Sequence, residues 1–372
     1  MKNKEIRVFE AFAGFGGATF GLRKAKIKHK VVMYSEWDKW AQELFEANHK
    51  DYHVPLFADI ETNEFQTKGD MTKGDFSSIP EFDLFTGGFP CQPFSSAGLG
   101  KGELDPRGTL FYSIIQVLKS FKTKAKPKYV LLENVKGMTH KKHLPTFNKI
   151  KEMLKEEGYL IDYKVLNSKD FGVPQNRERL WIFAERSDLF QKRLLRNGGK
   201  SFFDVILEKF SVDPSNRKPF HDYLDPQNLK TPVAEKHFLK DYQVEKLIEK
   251  HNMPLDEFLM SGHQRSLCLD IYNKKLKKEE ISITLTEPHH NSLRVVEHLG
   301  QNPDHILSPG EKSRGYTVRK LTVEEHFRLM GFIDGKIELK QNDQSYQQLC
   351  KRAGNGWDIN VASKIFQEIF EN

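Results

Sequence analysis

The sequence predicts an α/β protein: a mostly parallel sheet in its first half, followed by a second, smaller domain. From about residue 5 to 185, short apolar runs alternate with helix-like stretches, the pattern of strands joined by crossover helices. After Arg186 the chain becomes polar, Lys-rich and irregular, and prolines at 214, 219, 226, 232, 254, 288, 303 and 309 punctuate it as far as about residue 315. Helical periodicity then returns over Leu321–Met330 and Asn360–Ile369, which predicts that the chain comes back to its first body. The expected divisions are 1–186, 187–318 and 319–372.

A chain of 372 residues can bury a core that needs no covalent staple. Its three cysteines, Cys91, Cys268 and Cys350, are scattered and form no CxxC pair, so neither a disulfide framework nor a zinc site is indicated. Residues 1–7 run directly into a strand-like segment without the apolar stretch of a signal peptide. No segment approaches the ~20 apolar residues of a membrane span, and a cytoplasmic protein is expected. The net charge is +7 and the pI about 9.0. The positive charge is clumped, at Lys119–Lys128, at Lys192, Arg193 and Arg196, and at Lys274–Lys278. A solvated face explains any one clump; together they are compatible with a polyanionic partner, whose phosphates would give salt-sensitive affinity.

The strand candidates, in order, are Ile6–Phe9, Val31–Tyr34, Phe82–Phe85, Tyr129–Leu132, Tyr163–Leu166 and Leu180–Phe183. The first runs into Phe9-Glu10-Ala11-Phe12-Ala13-Gly14-Phe15-Gly16-Gly17, a glycine turn ahead of a helix. Such a turn either lets backbone approach a ligand or serves packing alone, and it lacks GxGxxG spacing. The second delivers Ser35-Glu36-Trp37-Asp38, where a Glu can accept both hydroxyls of a ribose and a Trp can stack on an adenine. A buried Trp beside a solvated Glu fits the same letters. Asp59 in Ala58-Asp59-Ile60 could accept an amino proton or merely cap a helix. The third strand empties into Gly87-Gly88-Phe89-Pro90-Cys91-Gln92-Pro93-Phe94-Ser95, a loop that would hold a thiol exposed and flanked by amides. Three glycines between Ala97 and Gly102 suit a mobile lid. The fourth carries Glu133 in Leu132-Glu133-Asn134-Val135. Gln175-Asn176-Arg177-Glu178-Arg179 puts two arginines ahead of the last strand. Arg319–Phe332 reads as an amphipathic structural helix, and Ala353-Gly354-Asn355-Gly356-Trp357 closes the series. Ligands of open α/β sheets bind at the C-terminal strand ends, so the first four motifs are expected to share one crevice.

In this order and at these separations the motifs resemble those of the cytosine-5 DNA methyltransferases of the bacterial restriction-modification kind. The resemblance covers residues 7–186 and 319–368. It implies an S-adenosylmethionine-dependent Rossmann-like domain, a smaller target-recognition domain and a cleft for double-stranded DNA between them. It assigns Phe12, Gly14, Gly16, Glu36, Trp37, Asp59, Pro90, Leu110 and Asn355 to the cofactor, and Cys91, Glu133, Arg177 and Arg179 to a flipped cytosine. Ser95 and Thr284 would face DNA, Thr284 at a phosphate. Gln264 and Arg265, within Gly262-His263-Gln264-Arg265-Ser266, form a candidate base-reading loop, although a plain surface turn fits the letters better. Two departures stand out. The last motif reads Gly-Asn-Gly-Trp where Gly-Asn-Ser/Ala-Val is commoner, and the first begins Glu-Ala-Phe where Asp-Leu-Phe is more usual.

The alternatives are an RNA cytosine-5 methyltransferase of the tRNA-modifying branch, a catalytically silent DNA-binding relative, and a nicotinamide dehydrogenase. The long middle segment favours sequence-specific DNA over a shape-read RNA. Intact Cys91, Glu133 and Arg179 argue against silence, and the missing GxGxxG argues against a dehydrogenase. A monomer is expected, with a cognate restriction endonuclease as a functional partner.

Overall fold

The structure, a computed structural model, describes residues 4–49, 79–89, 109–225, 233–249, 252–260, 262, 264–287, 292–333, 336–339 and 344–371. The first body begins with β1 (Ile6–Ala11), α1 (Gly17–Lys24), β2 (His29–Ser35) and α2 (Lys39–Asn48). It continues with β3 (Leu84–Gly87), α3 (Thr109–Lys119), β4 (Tyr129–Val135), α4 (Leu144–Glu156), β5 (Tyr159–Asn167), β6 (Gln175–Asn176) and β7 (Glu178–Arg186). All six expected strands are present, in one six-stranded sheet of order β2-β1-β3-β4-β7-β5.

The β2-β1-β3-β4 part is parallel, and β7 inserts antiparallel between β4 and β5. Neighbouring residues on each strand bury opposite ways, as the two-residue period of a strand requires. Phe9, Phe85 and Val130 pack with α3 and α4 through Ile114, Ile115, Phe147 and Ile150 on one face. Val8, Leu84 and Leu131 pack on the other with Ala18 and Leu22 of α1 and with the C-terminal helix described below. Cover on both faces explains why β4 is a near-continuous apolar run.

The first body extends beyond the boundary expected at residue 186. Helices α5 (Ser187–Arg196) and α6 (Phe202–Phe210) follow β7, and Phe202, Phe203 and Ile206 of α6 are buried in the sheet's second core. Charged residues between those aromatics made the stretch look irregular, yet their spacing leaves one apolar helix face to bury.

The smaller body contains α7 (Asp241–Glu249), α8 (Asp256–Met260), β8 (Leu267–Asp270), β9 (Lys275–Lys277), β10 (Ser282–Ile283), β11 (Leu293–His298), α9 (Pro309–Arg314) and β12 (Tyr316–Arg319). Four of its strands form an antiparallel sheet of order β12-β11-β8-β9, with a core of Val244, Leu255, Phe258, Leu269, Val296 and Val318. Strand β10 instead pairs parallel with β6, joining the two bodies by backbone bonds. The chain then returns through α10 (Val323–Arg328), α11 (Tyr346–Asn355) and α12 (Ile359–Phe370). Helix α12 lies so close to α1 that a Cβ on Gly21 would come within 2.8 Å of Ala362 Cβ.

The Arg319–Phe332 segment is structural. Arg319, fully buried, donates Nε and Nη2 to Glu297 at 2.8 and 2.7 Å and Nη1 and Nη2 to Glu325 at 2.7 and 2.8 Å. Glu325 also closes the capping box of α10 with Thr322, and Arg328 pairs with Asp225.

Candidate active site

Four strand ends supply the site, and the sheet order brings β1, β3 and β4 side by side. At the end of β4, Glu133 is 8% exposed and its Oε1 lies 3.0 Å from Arg179 Nε on β7. Burial pushes the Glu133 carboxyl above the usual carboxylate range, and the guanidinium charges of Arg179 and Arg177 oppose that rise. A carboxyl so placed is closer to proton-sharing than a surface Glu, which is what a general acid requires.

The neighbouring strand β3 ends at Gly87, from which Gly88 and Phe89 lead toward the cysteine loop. A Cβ on Gly88 would lie 3.0 Å from Trp357 Nε1 and 3.5 Å from Glu133 Oε2, so only glycine fits beside the two side chains unstrained. Asn134 donates Nδ2 to the Phe89 carbonyl at 2.9 Å and accepts from Val135 N–H at 2.8 Å. The chain is thus held from two sides up to the residue before Pro90. Pro90, Cys91 and Ser95 lie outside the described residues, as do Asp59 and the glycine-rich stretch expected to act as a lid.

A second corner lies at the ends of β1 and β2. Glu36 is 8% exposed, accepting Gly14 N–H at Oε2 (2.8 Å) and Asp38 N–H at Oε1 (2.9 Å). Burial raises its pKa against those two hydrogen bonds. Trp37 beside it is 78% exposed, with an indole open to a flat partner. Gly14 has φ +57° and, among the described residues, nothing within 4 Å of where its Cβ would be, so the turn presents a backbone-lined side. Phe12, also in the left-handed region at φ 52°, packs against the sheet core. Gly16 serves packing: at φ +90° it caps α1, and a Cβ there would come 2.0 Å from His49 Nε2. Leu110 stands, half-buried, in the first turn of α3. A glycine turn, a fixed carboxylate and an exposed indole fit a ligand with a hydroxylated sugar and a flat ring.

Three expected contacts are made differently. Arg177, expected at the base, is 2% exposed and donates Nη1 to Leu285 O (3.1 Å) and Nη2 to Gly354 O (3.0 Å) and Gly356 O (2.8 Å). It therefore pins the Gly354–Gly356 turn and the β10 segment to β6, since a buried guanidinium must satisfy its donors and carbonyls were in reach. Thr284 gives its hydroxyl proton to Asn176 O at 2.6 Å, so it secures the β6–β10 junction rather than holding a donor out for a phosphate. Asn355 is exposed and donates Nδ2 to Glu287 Oε1 at 2.9 Å, across to the segment after β10. Gln264 and Arg265 are both exposed ahead of β8, Arg265 paired with Glu280 at 3.1 Å.

Residue-by-residue reading missed Asn134, Arg352 and Trp357. Arg352 Nη2 lies 2.9 Å from Asp38 Oδ2, tying α11 to the Glu36–Trp37 corner, and nothing local in the sequence marks it. Asn134 and Trp357 sat inside recognised motifs, without a role. Among the described residues no group of three or more His, Cys, Asp or Glu could hold a metal ion.

A doubly covered sheet thus carries an acidic corner at the ends of β1 and β2 and a Glu133–Arg179 pair where β4 meets β7. The family model for C-5 cytosine-specific DNA methylase matches residues 6–371, and the chain belongs to that family. The type II methyltransferase M.HaeII of Haemophilus aegyptius is 32% identical over 363 residues, covering 97% of this chain and 92% of that protein. The type II methyltransferase M.SsoII of Shigella sonnei is 30% identical over 377 residues, 99% of this chain and 81% of its own. The fold is like that of S. pombe Dnmt2 methyltransferase, with TM-score 0.68, 20% identity and 99% of both chains covered. A putative DNA modification methyltransferase encoded within an E. coli prophage aligns at TM-score 0.56 and 18% identity, again over 99% of both chains. The family description names DNA, which disfavours the RNA alternative.

Proposed function

We propose that this enzyme methylates carbon 5 of a flipped cytosine within one short sequence of double-stranded DNA, using S-adenosylmethionine, as the modification partner of a restriction endonuclease. The Glu133–Arg179 pair at the end of β4, one strand over from the start of the Cys91 loop, carries this reading. Carbon 5 of cytosine is too weak a nucleophile to take a methyl group unaided. Addition of the Cys91 thiolate to carbon 6 turns the ring into an enamine and makes carbon 5 nucleophilic. Negative charge then develops on the ring. Glu133, held near-buried and proton-sharing, protonates or hydrogen-bonds N3. A guanidinium has five N–H donors. Among the described residues Arg179 pairs with Glu133 through Nε and donates Nη1 to Glu178 O, so its remaining donors suit the developing charge at O2.

S-adenosylmethionine supplies an electrophilic methyl on a sulfonium. Glu36 would accept its ribose hydroxyls, Trp37 would stack on its adenine, and Gly14 would give it backbone at close range. Asp59, Pro90 and Leu110 belong to the same proposed contact set. After methyl transfer a base takes the carbon 5 proton, the C5–H electron pair forms the C5–C6 double bond, and Cys91 leaves as its thiolate, which restores the aromatic ring. The target base must first leave the stack, at a cost of a few kcal/mol, and the net charge of +7 favours the phosphates that hold the duplex meanwhile. No helix among the described residues is long and apolar enough to cross a membrane. We place the protein with the nucleoid in the cytoplasm, acting as a monomer, because one cleft suffices for one base.

Bisulfite sequencing of DNA from cells expressing this chain, beside cells expressing Cys91→Ser, tests the proposal. Protected cytosines at one recurring sequence, absent with Cys91→Ser, are the expected result. Protection that persists in the variant would overturn the covalent route.

A further inference from the structure

Trp357 occupies the point where three motif-bearing segments meet. It is 7% exposed, and its ring meets Trp181 edge-on at 4.9 Å and 72°. Trp181 is the residue directly opposite Glu133 in the β4–β7 ladder. A Cβ on Gly17, the first residue of α1, would come within 2.9 Å of Trp357 Cβ. A Cβ on Gly88 would be 3.0 Å from Trp357 Nε1 and 3.5 Å from Glu133 Oε2. Gly88 therefore rests against the indole, with the Glu133 carboxyl close to the same point.

The indole is rigidly presented. The turn before it is fastened by Arg177 through the Gly354 and Gly356 carbonyls. After it, Asp358 caps α12 by accepting Asn360 N–H at 2.8 Å and Val361 N–H at 3.3 Å. A smaller residue at 357, such as the Val common in this motif, would leave the space beside Gly88 unfilled. Interiors do not tolerate such gaps passively, because neighbouring atoms shift to regain contact.

We infer that Trp357 is a positioning residue: it fixes Gly88, three residues ahead of Cys91 in the sequence, against Glu133, so that the end of β3 and the proton donor keep one spacing. The inference rests on the roles proposed above for Cys91 and Glu133. Trp357 itself touches no substrate; it acts through Gly88. A misplacement of about 1 Å at a reacting group can cost roughly a hundredfold in rate, and here it would fall on kcat rather than on DNA affinity.

The test is a cycle of Trp357→Phe, Gly88→Ala and the double variant in the full chain. Single-turnover methylation rate, KM for DNA and the rise in melting temperature with S-adenosylmethionine are measured for each, with Glu133→Gln as reference. Each single variant should lose about tenfold to a hundredfold in rate, with KM for DNA and the melting shift retained. The double variant should regain much of the loss of Gly88→Ala, because the added methyl enters the space the indole edge vacates, an outcome that simple core damage does not give. Single variants within twofold of the parent rate, or losses that merely add in the double variant, would overturn the inference. If Glu133→Gln itself keeps full rate, the reading of Glu133 fails first, and the two failures are told apart.

Discussion

Arg179 and Glu133 form a diagonal pair across the antiparallel β4–β7 ladder: Glu133 lies opposite Trp181, Val135 lies opposite Arg179, and Arg179 Nε reaches Glu133 Oε1 at 3.0 Å. Because side chains two apart on a strand share a face, the ladder register alone brings carboxyl and guanidinium together. Glu133→Gln keeps the shape and removes the transferable proton. It should lower kcat by about 10²–10⁴ in single-turnover assays while S-adenosylmethionine still raises the melting temperature. A rate within threefold of the parent would remove Glu133 from the chemistry.

Trp37 is 78% exposed, so the fold does not depend on it. Trp37→Ala should weaken S-adenosylmethionine by about 1–3 kcal/mol, roughly 5- to 150-fold in Kd, the range for losing one base-on-aromatic stack. The melting temperature without ligand should stay put. Calorimetric titration reads the first and thermal denaturation the second; an unchanged Kd would take Trp37 out of the cofactor corner.

Glu10 gives the stability a pH dependence. Burial raises its pKa to about 7, against hydrogen bonds from the Thr19 hydroxyl and from the Ala18 and Thr19 N–H groups. The native state then holds this proton more tightly than the unfolded chain, whose value is 4.5. The associated stability is fully present below 4.5 and is lost as pH rises toward about 7. It amounts to about 3 kcal/mol. Urea unfolding on either side of that window should show the slope in the parent, and Glu10→Gln should flatten it.

Arg319 sits between Glu297 and Glu325, all three with no exposed side-chain surface. Arg319→Leu would strand two buried carboxylates and should cost about 3–5 kcal/mol, read as a drop in urea midpoint. A loss under 1 kcal/mol, about the worth of an exposed pair, would show that water reaches the cluster.

Short apolar runs marked all six sheet strands, and motifs stood at the ends of the first four. Local pattern carries no information about partners far along the chain. That β7 would enter antiparallel between β4 and β5 depends on pairings the letters do not state. Arg177 and Arg179 look alike in Gln175-Asn176-Arg177-Glu178-Arg179, yet one turns to backbone carbonyls of a distant turn and the other to Glu133. Thr284 and Asn355 matched motif positions but found nearer acceptors in Asn176 and Glu287. The identity of Trp357 was visible as a departure; its contact with Gly88 was not, since 269 residues separate them.

The packing of α12 on α1, with Gly21 seated against Ala362, sets a clock on the enzyme's birth. A ribosome delivers the glycine turn and the Cys91 loop early, but the helix that braces α1 is made of residues 359–370. Until those have emerged, the second face of the sheet lies bare and Gly88 lacks the Trp357 indole beside it. Synthesis at about 5–20 residues per second leaves that interval tens of seconds long. For most of that interval α1 therefore waits, one face uncovered, for the helix that will pack on it.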